Sequence, residues 1–251
     1  MKYIIALDLD ETLLNSKGEV SQFSQEVLKR FKENGCIIAI SSTRGYGSCK
    51  KIAKIISADY VCCQSGNMIV DKVGNIVYKN GFSKQEIKDL IDLSKKFTKA
   101  IVVDSDTNLY GGLNDDFAKS WGVIHQDVDS LANLDVYKFC VYFEPEYRKI
   151  IEEYCKQHGY VCREMKSDPY LLITPANSDK FYALEHLIKL TNLDLEHLVV
   201  FGDDNSDSLS IKKAKYGVAM ANAREEVKSN AKYVTKSNNE DGVAYFLERN
   251  L

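Results

Sequence analysis

Short, continuous apolar runs alternate with helical patterns in the first part of the chain. The runs at 2–8, 36–40 and 59–63 lack the polar alternation of a half-exposed strand, so they are typical of strands buried on both faces. Between them, 21–35 and 47–56 place apolar residues at helical spacing. This order predicts β-α-β units and therefore a parallel sheet with helices on its faces.

The first helical pattern carries its own start and stop signals. Ser21 is a typical N-cap, and Gly35 follows the segment as a glycine often follows a helix. The predicted buried face consists of Phe23, Val27, Leu28 and Phe31. The segment therefore predicts one amphipathic helix that packs on the sheet.

The alternation breaks in the middle of the chain. Residues 67–79 favour a hairpin, and 82–177 mix β-rich runs with helical patterns. These patterns lie at 84–97, 114–121 and 146–157. Strand and helix patterns then alternate again to the end of the chain. We therefore expect one α/β domain, formed by 1–81 and 178–251, with an α+β domain inserted at 82–177.

Composition excludes some classes of partner. The chain has 251 residues and a net charge of −3, from 33 Lys and Arg against 36 Asp and Glu. Such a chain has no general basic field for nucleic acid or an acidic membrane face, and its N-terminal apolar run is too short to span a membrane. We expect no nucleic-acid partner and no membrane partner, and no obligate protein partner is evident.

The seven cysteines form no Cys-x-x-Cys pair. An odd number without a secretory signal favours reduced thiols and a cytoplasmic location. Cys155, His158 and Cys162 lie close in sequence, but a structural zinc site normally needs four ligands. We therefore interpret most of the cysteines as core residues.

Four candidate site residues come immediately after the first two predicted strands. Asp8 and Asp10 follow the first strand, while Ser42 and Arg44 follow the second. In open α/β sheets this edge binds ligands, and two neighbouring carboxylates favour a cation or a shared proton. Hydroxyl and guanidinium groups could bind phosphate. The alternatives are an acidic loop and ordinary helix caps.

Two later segments add a lysine and a second group of acids. Lys180 lies in the first turn of a predicted helix, where a bound anion would offset its unfavourable interaction with the helix dipole. Asp203, Asp204 and Asp207 follow the strand at 198–201, and oxygen ligands of this kind suit Mg²⁺. The alternatives are a solvated lysine and acids that stabilise a helix N-terminus.

The order of these four groups resembles a known family. D-L-D-E-T-L-L, S-S-T-R, N-S-D-K-F-Y-A-L and G-D-D-N-S-D are similar to the four motifs of haloacid-dehalogenase-like phosphatases. The tail from Gly217 through Gly242 resembles the Cof-type subfamily in particular. The resemblance implies a Rossmann-like core with a parallel sheet and an inserted α+β cap domain.

The resemblance also implies roles for individual residues. Asp8 would be the nucleophile that forms an aspartyl-phosphate, and Asp10 the general acid and base. Mg²⁺ would be held by Asp8, the carbonyl of Asp10, and Asp203, with Asp207 in support. Phosphate oxygens would be bound by Ser42 and Lys180. Arg44 could contact the substrate or a structural carboxylate equally well.

The expected function is hydrolysis of a small phosphorylated metabolite, with a sugar phosphate preferred over pyridoxal phosphate or flavin mononucleotide. A phosphomutase would use the same aspartate, and a receiver-like phosphorylation switch is a further alternative. The sequence departs from the family pattern at Glu11, where glycine is frequent, at Thr43, where S-T-R replaces T-G-R, and at Ser206, where asparagine is frequent. Each of these departures leaves the carboxylates and Lys180 in place.

Overall fold

Within the residues that the computed structural model describes (2–98, 100–105, 108–112, 122–164 and 170–251), eight strands form one sheet. In chain order they are β1 (Ile4–Leu7), β2 (Ile37–Ser41), β3 (Tyr60–Cys63), β4 (Met68–Asp71), β5 (Ile76–Lys79), β12 (Leu198–Gly202), β13 (Tyr216–Ala219) and β14 (Tyr233–Val234). Their order across the sheet is β14-β13-β12-β1-β2-β3-β4-β5. All neighbouring strands from β14 to β3 pair in parallel. The pairs β3 with β4 and β4 with β5 are antiparallel.

The helices of this first unit precede or follow its parallel strands along the chain. They are α1 (Gln22–Glu33), α2 (Tyr46–Ile55), α5 (Lys180–Thr191), α6 (Ser208–Lys213), α7 (Glu225–Asn230) and α8 (Gly242–Asn250). β1 is fully buried between β12 and β2, with Leu7 in register with Phe201 and Ile40. The expected α/β fold with a parallel sheet is confirmed.

The first helix begins as predicted but buries a different residue in its first turn. Ser21 caps α1 by accepting a hydrogen bond from the N–H of Ser24 at 3.0 Å. Phe23, expected on the buried face, is exposed, and Ser24 is buried instead. The hydroxyls of Ser21 and Ser24 both donate to Asp241 at the start of α8, so a polar contact occupies this end of the helix.

The chain divides by its contacts into two compact units, residues 1–79 with 179–251, and residues 80–178. In the described part of the second unit, six strands form a sheet of order β10-β11-β9-β6-β7-β8, antiparallel except for β7 with β8. They are β6 (Ile101–Asp104), β7 (Leu109–Gly112), β8 (Ile124–His125), β9 (Lys138–Tyr142), β10 (Val161–Glu164) and β11 (Tyr170–Thr174).

Two helices of the second unit, α3 (Lys84–Ser94) and α4 (Arg148–His158), contribute Ile87, Leu90 and Ile151 to its hydrophobic core. The helix predicted at 114–121 lies outside the described residues. In the part of the chain that the structure describes, no helix is long and apolar enough to cross a lipid bilayer.

Candidate active site

Three of the sequence-predicted residues meet in one buried cluster. The Lys180 ammonium lies 2.6 Å from Oδ1 of Asp8 and 2.7 Å from Oδ1 of Asp207. Asp8 follows β1, Asp207 follows β12, and Lys180 begins α5, so three separate segments converge at one edge of the sheet. Lys180 is only 3% exposed, which excludes the alternative of a solvated surface lysine.

Asp203 completes a group of three carboxylates. Oxygens of Asp8, Asp203 and Asp207 all lie within 4.8 Å of one another, and all three residues are buried. Thr12, in the turn after β1, donates its hydroxyl hydrogen bond to Oδ1 of Asp203 at 2.7 Å. This hydroxyl therefore orients one carboxylate of the cluster.

Asp207 reaches the cluster because the strand before it ends in a glycine. A Cβ atom at Gly202 would lie 2.4 Å from Cγ of Asp207, so a larger residue there would displace this carboxylate. Oδ2 of Asp207 also accepts hydrogen bonds of 3.3 Å from the N–H groups of Asp203 and Asp204. The absence of a side chain at Gly202 and these two hydrogen bonds therefore hold the carboxylate of Asp207 next to the end of β12.

A strained turn packs against the start of the helix that bears Lys180. Gln64, Ser65 and Gly66 all have positive φ, at 55°, 58° and 88°, which is rare for residues other than glycine. A Cβ atom at Gly66 would lie 2.1 Å from the carbonyl oxygen of Asp179, the N-cap of α5. The turn therefore approaches the backbone before Lys180 as closely as only glycine permits.

Gly66→Ala is expected to destabilise the protein by about 2–5 kcal/mol, because a left-handed backbone and a steric overlap with Asp179 combine. Gly74 provides the matched control, since its φ is 98° but nothing lies within 4 Å of its hypothetical Cβ. Gly74→Ala should cost only about 1–2 kcal/mol. Urea unfolding measures both losses, and equal losses would contradict a close contact between Gly66 and Asp179.

Burial and charge shift the pKa values of the cluster. Burial raises the pKa of Asp8 to about 7, although the Lys180 ammonium opposes this shift. Burial also raises the pKa of Asp203 to about 6, against the hydrogen bond from Thr12. Burial would lower the pKa of Lys180, but the carboxylates of Asp207 and Asp8 raise it above its usual value. Lys180 is therefore a cation. Asp8 and Asp203 retain their protons to a higher pH than ordinary carboxyl groups do.

The remaining predicted residues form a second group. Arg44 donates from Nε to Oδ2 of Asp10 at 2.8 Å and from Nη2 to Oδ1 of Asp10, which is a bidentate pair. The hydrogen bond to Asp10 raises the pKa of Arg44. Ser42 is buried, and its hydroxyl accepts from the N–H of Arg44 at 3.2 Å. Among the described residues, no hydrogen bond links this group to the cluster around Lys180.

Arg44 therefore contacts a carboxylate, which is one of the two roles that the sequence leaves open. That carboxylate belongs to Asp10, another predicted site residue. Sequence reasoning missed Thr12 and the Gln64–Gly66 turn. Thr12 lies within the D-L-D-E-T motif, and this position could have indicated that it belongs to the site. The segment Q-S-G-N offers only its glycine as a sign of unusual backbone geometry.

The residues present fit a hard divalent cation. Asp8, Asp203 and Asp207 offer oxygen ligands only, as Mg²⁺ prefers. When all are ionised, the three carboxylates and the single ammonium of Lys180 leave two negative charges in a buried site. A divalent cation would balance that charge.

Comparison with known proteins identifies the family. The sequence model of one protein family, the haloacid dehalogenase-like hydrolases, matches residues 5–247 of this chain. The 5-amino-6-(5-phospho-D-ribitylamino)uracil phosphatase YwtE of Bacillus subtilis (strain 168) is 26% identical, over 98% of this chain and 97% of that protein. A solved haloacid dehalogenase-like hydrolase from Bacteroides thetaiotaomicron is 26% identical, with a TM-score of 0.84 over 100% of both chains.

A further solved structure, the subclass IIB sugar phosphatase BT4131, shares the fold with a TM-score of 0.81 at 19% identity, over 98% of each chain. These matches span nearly the whole chain, both units included. The resemblance drawn from the four motifs and the C-terminal tail is confirmed, and the chain belongs to the haloacid dehalogenase-like hydrolases.

Proposed function

We propose that this hydrolase is a Mg²⁺-dependent phosphatase that removes the phosphoryl group from a small phosphorylated metabolite. The observation that carries the proposal is the buried cluster of Asp8, Asp203 and Asp207 around Lys180. A cation and an ammonium within such a cluster form a site for the negative charge of a transferring phosphoryl group.

Asp8 is the nucleophile in this proposal, and Asp10 is the general acid and base. In the first step, an oxygen of Asp8 bonds to phosphorus, the bond to the ester oxygen breaks, and Asp10 gives its proton to that oxygen. In the second step, Asp10 takes a proton from water, the water oxygen bonds to phosphorus, and the bond to Asp8 breaks. The products are an alcohol and inorganic phosphate, and both carboxyl groups return to their starting states.

The other site residues hold and orient the reacting groups. Lys180 and Ser42 are proposed to stabilise the phosphoryl oxygens, and Asp8, Asp203 and Asp207, with the carbonyl of Asp10, to hold Mg²⁺. When bound, Mg²⁺ would supply positive charge that offsets the negative charge of the nucleophile and the phosphoryl group. Arg44 contacts both oxygens of Asp10, so this pair has to open when Asp10 contacts the leaving oxygen.

We assign catalysis to the unit with the parallel sheet and substrate selection to the inserted unit. The proposed boundaries are 1–81 with 178–251 for the catalytic core, and 82–177 for the cap. All of the proposed catalytic residues lie in the core. The cap would supply the contacts that distinguish one phosphorylated metabolite from another.

The preferred substrate class is a sugar phosphate or its polyol equivalent. The relative YwtE is named for a substrate that carries its phosphate on a ribityl group. A panel of sugar phosphates, a ribitylaminouracil phosphate, pyridoxal phosphate and flavin mononucleotide, assayed for release of inorganic phosphate, tests the proposal. Transfer of the phosphoryl group to a second sugar instead of water would reveal a mutase and overturn it.

Mg²⁺ is expected to raise the melting temperature more at a pH above 7 than at a pH below 6. Because burial raises the pKa values of Asp8 and Asp203, the metal-free native state binds more protons than the unfolded chain and loses stability as the pH rises through about 6 and 7. At the lower pH, the metal must displace these protons, which weakens its binding.

Differential scanning fluorimetry with Mg²⁺ or EDTA at the two pH values measures this difference. Asp203→Asn removes one proposed ligand and should lose most of the stabilisation by Mg²⁺. A stabilisation that is the same at both pH values, or that persists in Asp203→Asn, would contradict metal binding at this cluster.

A further inference from the structure

A groove lies in the first unit, and none of the proposed catalytic residues lines it. This groove has a volume of about 610 Å³ and lies between α2 and the turn of the β4–β5 hairpin. Its volume falls within the range of about 300–1,000 Å³ that is usual for pockets binding small molecules. The groove is therefore large enough to bind a metabolite of nucleotide size.

One face of α2 supplies a positively charged wall. Tyr46, Lys50 and Lys54 line the groove at intervals of four residues, which places their side chains along one face of the helix. Lys72, in the hairpin turn, also lines it. In the part of the chain that the structure describes, none of these three lysines forms a salt bridge with a carboxylate.

The other charged groups along the groove already have partners. Lys32 lies 2.7 Å from Oδ1 of Asp59. Asp71 accepts hydrogen bonds from the N–H groups of Val73 at 3.0 Å and Asn75 at 2.8 Å, within its own turn. Three lysines against the one ionised carboxylate of Asp71 leave the groove with a positive charge of two, although the whole chain carries a net charge of −3.

The groove also has an apolar part. Ala53, Ala58 and Val61 line it, and Ala58 and Val61 are buried. The half-buried ring of Tyr46 and the 74% exposed side chain of Val73 stand at its border. A ligand that matches these surfaces combines several negative charges with an apolar, planar body.

We propose that this groove binds a nucleoside diphosphate, with the phosphates on Lys50, Lys54 and Lys72 and the base against Tyr46 and Val73. Lysine ammonium groups bind phosphate oxygens by charge-assisted hydrogen bonds, and a base can stack on an aromatic ring. The site is separate from the chemistry at Asp8, so it goes beyond the proposed phosphatase function.

The test is isothermal titration calorimetry of the full chain with ADP, in EDTA so that no metal-dependent hydrolysis occurs. Lys50→Glu/Lys54→Glu is expected to weaken ADP binding by at least about tenfold, because two attractive charges become repulsive. Lys212→Glu/Lys213→Glu is the matched control, since these exposed lysines of α6 lie outside the groove and the total charge changes equally. The control should bind ADP within about twofold of the wild type.

Adenosine and inorganic phosphate, titrated separately, should each bind more weakly than ADP, because each contacts only part of the groove. Thermal unfolding of both double variants checks that they are folded. Absence of ADP binding to the wild type would overturn the proposal. Equal binding by Lys50→Glu/Lys54→Glu and the wild type would also overturn it, because the ligand would then occupy another site.

Discussion

Asp8→Asn is expected to reduce kcat for p-nitrophenyl phosphate by about 10³–10⁶-fold, because an amide cannot take the place of the carboxylate nucleophile. The substitution keeps the shape of the side chain. Lys180 retains its contact of 2.7 Å with Asp207, so the cluster keeps an ion pair. Burial already disfavours the ionised form of Asp8, as its raised pKa shows, so the variant should fold.

Asp104→Asn is the matched control for this experiment. Asp104 forms a largely buried ion pair with Lys138 at 3.0 Å in the second unit, so its substitution breaks the same type of contact away from the cluster. Its kcat should stay within about twofold of the wild type at temperatures where it is folded. If Asp8→Asn retained more than about a hundredth of the wild-type kcat, Asp8 would not be the nucleophile.

Lys180→Met is expected to destabilise the metal-free protein by about 3–5 kcal/mol at a pH above 7, because buried carboxylates lose their cation. The loss should be smaller at a pH below 6. Removal of Lys180 takes away the influence that lowers the pKa of Asp8, so this group keeps its proton to a higher pH in the native state. The stability of the native variant therefore falls over a wider range of rising pH than the stability of the wild type.

The same substitution should lower kcat by about 10²–10⁴-fold, because positive charge at the phosphoryl oxygens is lost. Mg²⁺ should restore part of the stability of Lys180→Met but not its kcat. Lys138→Met breaks the comparable pair with Asp104 and should leave kcat unchanged. Urea unfolding at the two pH values measures the stabilities, and a loss for Lys180→Met that is independent of pH and of Mg²⁺ would contradict this account.

The core sheet could be predicted because its strands leave a simple sequence pattern. A parallel strand covered on both faces, such as β1, is a continuous apolar run, and Asp8 directly after it is a sharp change of polarity. Because parallel strands end at the same edge of a sheet, the same pattern also places Asp8, Ser42 and Asp203 on one side of it.

Side-chain pairing across long sequence separations could not be predicted in the same way. Thr12 and Asp203 are 191 positions apart, and Arg44 and Asp10 are 34 apart. Hydropathy patterns describe which face of an element is buried, but not which partner a polar group finds there. For that reason both roles of Arg44 stayed open, and Thr12 had no assigned role.

Backbone strain was also invisible in the sequence. Gln64 and Ser65 have left-handed conformations although neither residue type indicates one. Glu11 likewise has a φ of 54°, at a position where the family frequently has glycine. The left-handed backbone gives a physical reason for that glycine, whereas composition and periodicity offered none.

The most direct test of the account is to identify the phosphorylated residue during turnover. Asp10→Asn should slow removal of the phosphoryl group, while p-nitrophenol still leaves from the substrate because it needs little protonation. The variant, supplied with Mg²⁺ and radiolabelled p-nitrophenyl phosphate, is quenched in acid, digested and mapped by mass spectrometry. We predict a covalent phosphoryl group on the peptide that contains Asp8, and none in Asp8→Asn/Asp10→Asn. Continued release of p-nitrophenol with the label on another residue, or with no covalent label, would contradict the assignment of Asp8.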